Sequence, residues 1–236
     1  MIDEKTVLFA KTKEKKLEEQ TRGYEAWGII GRGPVEYAKS FGLPIEYFTE
    51  FVSNRRIKGL NTFGLDLFST TDFLEKLGIE GIAVGLSDLR SRERRQEDKN
   101  KRIQISGDLY KDRKRIWQDI TKILRDRSLT GVDLVTENAV AGFGHVPRYP
   151  KFFVWHLEQI WHNLNLNGQI VAKLPWSLVE SFYDDEIVTA WQKAGVNATV
   201  TDSHTLIIEK TKSSPESIIL NSFPLNLSQP WEKAFY

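Results

Sequence analysis

The sequence predicts an α/β fold in which a mostly parallel sheet is covered by helices on both faces and preceded by a helical segment. From about residue 60, the 236-residue chain alternates short apolar runs with longer segments of helical periodicity. This alternation is typical of strand–helix–strand units and hence of parallel strands. Only the short turn TDSH separates the last two strands, which should therefore form an antiparallel hairpin at one side of the sheet.

The first part of the chain, residues 1–58, is predicted to be a helical extension. The segment LPIEYFTEFVSNRRI carries apolar residues at helical spacing, namely Ile45, Phe48, Phe51 and Val52. Just before it, GIIGRGPVEYAKSFG is similar to the dinucleotide fingerprint G-x-G-x-x-G, but Glu36 occupies the third glycine position. A helix also follows where the fingerprint requires a second strand. We interpret this segment as a glycine-rich turn between two helices, so a dinucleotide oxidoreductase is not favoured.

Residues 59–212 are predicted to form the α/β domain, and residues 213–236 a proline-containing tail. The strand candidates, in order, are TFGLDLF, GIAVGLSD, RIQISGD, GVDLVTE, GQIVAKLP, NATVTD and TLIIEK. The helical segments between them are TDFLEKLG, DRKRIWQDITKILRD, YPKFFVWHLEQIWHNL and WSLVESFYDDEIVTAWQKAG.

Composition excludes several classes of function. The chain has no cysteine, which rules out disulfides, thiolate metal sites and cysteine nucleophiles. The four histidines are not spaced as a ligand set, so no metal site is predicted. The charged first twenty residues contain no signal-peptide core, and no apolar run reaches the length of a membrane span. We therefore expect a cytoplasmic protein with no membrane partner.

Acidic residues follow four of the predicted parallel strands. Ligands of open α/β sheets bind beyond the carboxyl ends of the strands, so these residues mark the expected site. Each one alone is also typical of a residue that caps the next helix. Their shared position favours a site, and the residues are Asp66, Asp88, Asp108 and Glu137, with Lys173 at the end of the fifth strand.

Residues 61–212 resemble a class I S-adenosylmethionine-dependent methyltransferase. GLDLFSTTD is similar to the first motif in its form D-L-F-x-G-x-G, GDLYKD to the end of the third strand, and GVDLVTENAV to the fourth motif. NLNLNGQIVAKLP and AGVNATVTDSHTLIIEK resemble the segments around the last three strands. The resemblance implies a Rossmann-like sheet of seven strands in the order 3-2-1-4-5-7-6, with S-adenosyl-L-methionine as cofactor.

The resemblance also implies individual roles. Asp66 would support the methionine amino group, and the turn of Phe68, Ser69 and Thr70 would run along the methionine part of the cofactor. Asp88 would bind the ribose, and Asp108 together with the Leu109 amide would hold the adenine. The glycine positions of the first motif fall on Thr70 and Asp72, although glycine permits a close backbone approach that other residues resist. A catalytically inactive methyltransferase-like binding module therefore remains the alternative.

Lys173 lies where RNA ribose 2′-O-methyltransferases of the heat-shock methyltransferase type carry a catalytic lysine. The resemblance implies that Lys173 helps to deprotonate a hydroxyl, assisted by an acidic position that falls on Glu137 or Asn138. The segment 90–115 is rich in Lys and Arg and could contact RNA phosphates, but it is equally consistent with a solvated surface. The expected activity is methyl transfer to a hydroxyl acceptor, with RNA ribose as one candidate.

Overall fold

A computed structural model of the chain describes residues 34–67, 73–85, 102–137, 150–173 and 186–220. Its helices are α1 (Pro34–Ser40), α2 (Ile45–Ile57), α3 (Phe73–Lys76), α4 (Arg113–Asp126), α5 (Pro150–Asn163) and α6 (Glu186–Lys193). Its strands are β1 (Phe63–Leu67), β2 (Glu80–Gly85), β3 (Arg102–Ser106), β4 (Val132–Glu137), β5 (Leu164–Lys173), β6 (Asn197–Val200) and β7 (Thr205–Glu209). None of the helices in these ranges has the length and apolar character needed to cross a membrane.

The strands form one seven-stranded sheet in the order β3-β2-β1-β4-β5-β7-β6. The pairs from β3 across to β5 are parallel, whereas β7 is antiparallel to both β5 and β6. The predicted Rossmann-like methyltransferase order and the terminal hairpin are thereby confirmed. Every residue of β1 and β4 is buried, as expected for central strands that are covered on both faces.

Strand β5 begins earlier than the sequence predicts. The apolar run GQIVAKLP placed its start near Gly168, but β5 already begins at Leu164, which pairs with Val132 of β4. The register between these strands shifts after that pair, and Asn167 has a left-handed φ of 60°. The sequence pattern does not reveal the first residues of β5, because polar asparagines and an irregular backbone interrupt the period-two alternation of apolar residues.

The two faces of the sheet are covered by different helices. On one face, Phe48 and Val52 of α2 pack with Phe73 of α3 against Leu134 and Val171 of the sheet. The predicted stripe of α2 therefore points at the sheet, with Ile45 and Phe51 only partly buried at its sides. Helices α4, α5 and α6 contribute to the larger core on the other face, where Ile116, Trp161 and Trp191 are buried. Residues 34–57 thus share a core with the sheet, while the domain boundary at residue 58 stays a prediction.

The beginning of the C-terminal tail packs on the second face. The indole N–H of Trp161 donates to the Pro215 carbonyl at 3.2 Å, and that of Trp191 donates to the Ile218 carbonyl at 2.7 Å. Ile218 is itself fully buried. These contacts fix residues 215–218 against α5 and α6.

A buried ion pair joins α2 to the amino-terminal edge of the sheet. Arg55 Nη2 lies 2.5 Å from Asp133 Oδ1, and the two side chains are 11% and 6% exposed. Asp133 also accepts hydrogen bonds from the Phe63 backbone N–H at 2.8 Å and from Asn165 Nδ2 at 2.9 Å. One carboxylate therefore links the starts of β1, β4 and β5 to the end of α2.

At the opposite edge, the junction between α1 and α2 docks on the β6–β7 turn. The Phe41 carbonyl accepts hydrogen bonds from Ser203 Oγ at 3.0 Å and Thr205 Oγ1 at 2.7 Å. Gly42, the next residue, has a left-handed φ of 66°. A Cβ atom at Gly42 would overlap with the Ser203 hydroxyl. Glycine thus meets both a backbone and a space requirement here.

We expect Gly42→Ala to lower the free energy of unfolding by more than the roughly 1–2 kcal/mol that a left-handed alanine costs by itself. The excess arises because the methyl group displaces Ser203 from the Phe41 carbonyl. Gly59→Ala is the matched control, since Gly59 has a φ of 72° but nothing within 4 Å of its Cβ position. Urea unfolding measures both; equal losses for the two variants would contradict the packing role of Gly42.

Candidate functional site

Five of the ten predicted site residues lie within the described ranges, and all five are at the carboxyl ends of the parallel strands or directly after them. They are Asp66, Asp108, Leu109, Glu137 and Lys173. The other five, Phe68, Ser69, Thr70, Asp88 and Asn138, lie outside the described residues.

Asp66 is fully buried near the end of β1 and is held by two hydroxyl groups. Tyr37 of α1 donates to Asp66 Oδ1 at 2.8 Å, and Thr136 of β4 donates to the same oxygen at 2.9 Å. Buried carboxylates require such donors, because leaving water without compensation is costly. The sequence did not indicate Tyr37, since nothing in the helical pattern of VEYAKSF distinguishes it from a core aromatic residue.

The end of β3 presents a carboxylate and a backbone amide side by side. Asp108 Oδ1 accepts hydrogen bonds from the backbone N–H groups of Tyr110 at 2.9 Å and Lys111 at 3.1 Å. Its side chain is 38% exposed, and its Oδ2 lies 4.0 Å from Lys111 Nζ. The Leu109 side chain is fully buried in the core, which fixes the backbone at this point. The turn therefore offers a rigid acceptor next to an N–H donor.

Glu137, the last residue of β4, forms a buried pair with a histidine that the sequence did not indicate. His156 Nε2 of α5 lies 3.1 Å from Glu137 Oε2, and both side chains are 0% exposed. His156 stacks on Phe152, with ring centroids 5.6 Å apart and planes at 11°. Glu137 Oε1 makes no hydrogen bond with any described residue. A carboxylate with one oxygen bound and one remaining is suited to accept a further hydrogen bond.

Lys173, the last residue of β5, donates from Nζ to the Ser203 backbone carbonyl in the β6–β7 turn. Desolvation by burial lowers the pKa of Lys173. Ser203 in turn bonds to Phe41, so the position of this amine is fixed jointly by the hairpin and the α1–α2 junction.

The strand register places Lys173 and Glu137 on opposite faces of the sheet. Glu137 pairs with Ala172, and successive residues of a strand point to opposite faces, so Lys173 points away from the Glu137 face. Asp66 pairs with Thr136, which pairs with Val171; these residues share the face of Lys173. The structure thus brings Asp66 and Lys173 to one face and Glu137 with His156 to the other. Within the described ranges, no group of three acidic or histidine side chains could hold a metal ion.

Comparison with known proteins gives structural likeness only. No protein-family model matches the chain, and neither does any curated protein sequence. The chain is similar to the MycE methyltransferase of mycinamycin biosynthesis, at 14% identity and a TM-score of 0.49, covering 96% of this chain and 62% of MycE. It thus spans less than two thirds of the length of MycE.

Two further solved structures show similar levels of likeness. The N-methyltransferase NodS from Bradyrhizobium japonicum is 12% identical with a TM-score of 0.43, covering 71% of this chain and 96% of NodS. An rRNA methylase from Streptococcus thermophilus is 10% identical with a TM-score of 0.43, covering 78% of this chain and 99% of the methylase. The fold assignment rests on the strand order of this chain itself.

Proposed function

We propose that this protein is an S-adenosylmethionine-dependent methyltransferase that acts on a hydroxyl acceptor, with RNA ribose as one candidate acceptor. The observation that carries the proposal is the placement of Asp66 and of the Asp108–Leu109 turn at one edge of a sheet with the methyltransferase strand order. In open α/β sheets, this edge is where nucleotide-like ligands bind.

The β3 end fits the adenine of the cofactor. An adenine edge offers an amino group as donor next to a ring nitrogen as acceptor. Asp108 carries a half-exposed carboxylate that can accept from the amino group, and the adjoining Leu109 amide can donate to the ring nitrogen. The bonds from Tyr110 and Lys111 to Asp108 Oδ1 hold the carboxylate in place and leave Oδ2 for the ligand. Asp88, three residues after the last residue of β2 in the chain, is proposed to bind the ribose hydroxyls.

Asp66, near the end of β1, is suited to support the cofactor site indirectly and not to contact the cofactor. Its side chain is fully buried under Tyr37 and Thr136. We propose that Asp66 acts through Tyr37, whose hydroxyl and ring form part of the cover over the end of β1. Phe68, Ser69 and Thr70 follow β1 directly in the chain, and their backbone is proposed to run alongside the methionine part of the cofactor.

The cofactor, when bound, supplies a methyl group on a positively charged sulfur. Lys173 is proposed to take the proton of the acceptor hydroxyl, because burial lowers the pKa of the amine and so raises the neutral fraction that can act as a base. The Ser203 carbonyl orients the amine by accepting one of its N–H groups. A fixed position matters because an in-line displacement depends on the orientation of the reacting groups.

Glu137 and Asn138 are proposed to act separately from Lys173. Because the register puts Glu137 on the opposite face, it cannot assist the lysine by direct contact in this arrangement. His156 holds one carboxylate oxygen of Glu137, and the other oxygen is buried without a partner among the described residues. Because the Glu137 side chain is 0% exposed, it is proposed to position the end of β4 at the acceptor region and not to contact the acceptor itself. The neighbouring Asn138 is proposed to contribute an amide to the same acceptor region.

One arrangement favours the alternative, a methyltransferase-like module that binds a partner without catalysis. Asp66 is closed off by Tyr37 and Thr136, and the first-motif glycine positions are Thr70 and Asp72. A fold that kept its core but lost the cofactor would retain such an internal hydrogen-bond network.

Calorimetric titration with S-adenosylmethionine and S-adenosylhomocysteine separates the two. We expect binding, and we expect Asp108→Ala to weaken it by about 10-fold or more, because a charge-assisted hydrogen bond contributes about 1.5–3 kcal/mol. Asp88→Ala should also weaken binding. Asp126→Ala is the matched control, since Asp126 is exposed at the far end of α4. Absence of binding at millimolar ligand would favour the module, and equal effects of Asp108→Ala and Asp126→Ala would refute the adenine assignment.

A further inference from the structure

A groove runs between α4 and α5 on the outside of the sheet. We call it the α4–α5 groove; its volume is about 420 Å³. Its lining from α4 includes Lys114, Trp117, Lys122 and Arg125, and its lining from α5 includes Trp155 and Gln159. None of the residues that line the groove is assigned to methyl transfer above.

The charge in this groove is of one sign. Three cationic side chains line it, and no carboxylate does. Lys114 and Lys122 form no ion pair with any described residue, and Arg125 has only an exposed neighbour, Asp126, at 3.9 Å. On the adjacent side of α4, by contrast, Arg115 is neutralised by Asp112, which directly precedes the helix, and by Asp119 within it. The groove therefore presents uncompensated positive charge in a chain whose net charge is only +1.

The remaining lining suits an extended polar chain with flat groups. Gln118 and Gln159 add neutral amide donors, and Trp155 is a partly buried aromatic side chain beside them. Unpaired cations that follow a phosphate backbone, together with an aromatic surface for stacking, are the usual elements of single-strand binding. An acidic peptide would share the charge but would gain little from an indole surface.

The groove runs toward the carboxyl edge of the sheet, where the methyl transfer is proposed to occur. Helix α4 begins shortly after β3 ends. Helix α5 ends where β5 starts at the amino edge of the sheet, so it too begins toward the edge where the parallel strands end. Lys114 is in the first turn of α4, shortly after Asp108. Lys122 follows eight residues later, about 12 Å along the helix at 1.5 Å per residue. A strand bound to both lysines would have one end near the cofactor edge.

We propose that the α4–α5 groove binds single-stranded RNA and leads it toward the carboxyl edge of the sheet. The role of this RNA as methyl acceptor rests on the proposed function, but its binding does not require the cofactor. Lys114 and Lys122 contact backbone phosphates, and Trp155 offers a surface for a base.

The test is the fluorescence anisotropy of a labelled twelve-nucleotide oligouridylate, measured with the full chain and without cofactor. Lys114→Glu/Lys122→Glu should weaken binding at least 10-fold. The slope of log affinity against log salt should also become shallower by about 1.4, because each phosphate contact to a single strand contributes about 0.7. The control is Lys58→Glu/Lys76→Glu, which makes the same change in charge at two exposed lysines outside the groove and should weaken binding less than threefold.

Three results would overturn the proposal: no binding of the oligouridylate, equal weakening by both double variants, or a polyglutamate peptide that binds through the same two lysines as tightly as RNA. The last result would identify an acidic protein partner instead. Calorimetry with S-adenosylhomocysteine on the same Lys114→Glu/Lys122→Glu variant distinguishes failure of the RNA-binding proposal from failure of the methyltransferase proposal. The affinity of this variant for S-adenosylhomocysteine should be unchanged.

Discussion

Arg55→Leu should lower the free energy of unfolding by about 3–5 kcal/mol, the range found when one partner of a buried ion pair is removed. The physical reason is that Asp133 would keep its charge at a position that is only 6% exposed. Its remaining donors, the Phe63 amide and Asn165, are neutral and compensate only part of that charge. Chemical denaturation followed by circular dichroism measures the loss.

The neighbouring arginine supplies the control for this experiment. Arg56 is exposed and forms no ion pair with the described residues, so Arg56→Leu should change stability by no more than about 0.5 kcal/mol. Asn165→Ala should have an intermediate effect, because it removes one donor of Asp133 and leaves the cation. If Arg55→Leu and Arg56→Leu proved equally stable, Arg55 would not be the residue that ties α2 to the amino-terminal edge of the sheet.

Lys173→Met should reduce methyl transfer to RNA by about 10²–10⁴-fold, the usual contribution of a positioned general base. Affinity for S-adenosylhomocysteine should stay within about twofold of the original, because the lysine is assigned to the acceptor and not to the cofactor. Transfer of a labelled methyl group, measured with saturating cofactor, tests this. Full turnover by the variant would exclude Lys173 as the base.

Lys210→Met is the matched control for Lys173. Burial also lowers the pKa of Lys210, and its amine likewise donates to backbone carbonyls, those of Trp161 at 2.8 Å and Leu164 at 2.9 Å. Lys210 directly follows β7 and lies beside the amino-terminal end of β5, however, away from the proposed reaction edge. Methyl transfer per folded molecule should therefore be unaffected, although the variant should be less stable.

The pH dependence of the rate follows from the same assignment. A base must be neutral to accept a proton, so the rate should rise with pH and level off above the pKa of Lys173. Because desolvation lowers that pKa, the plateau should begin below the ordinary range of a lysine. The rising limb should disappear in Lys173→Met. If the rate of this variant still rose with pH, the titrating group would be a residue other than Lys173.

The sheet was predictable because its signals are local. Apolar runs such as VDLVTE in β4 and the short TDSH turn have direct physical causes in burial and pairing, and they led to the correct strand order through the family resemblance. The start of β5 was not predictable in the same way. Its pairing depends on a register shift against β4 that only the partner strand reveals.

The site was predictable only in part, for a related reason. Strand ends identify Asp66 and Asp108 as residues of one edge, since parallel strands end together. Their partners come from distant segments: Tyr37 is 29 residues from Asp66, and His156 is 19 residues from Glu137. No periodicity predicts such contacts. Likewise, the separation of Lys173 from Glu137 follows from register, because a shift of one residue would put them on the same face.

Hydrogen–deuterium exchange with and without S-adenosylhomocysteine tests the central claim most directly, because it locates the ligand on the chain. We predict slower exchange for the backbone amides of residues 107–111 at the end of β3 and of the segment that follows Leu67, where the methionine part is proposed to lie. Residues 127–131, at the amino-terminal edge, should exchange at the same rate in both samples. Unchanged exchange at residues 107–111 under saturating ligand, or protection confined to the amino-terminal edge, would contradict the account.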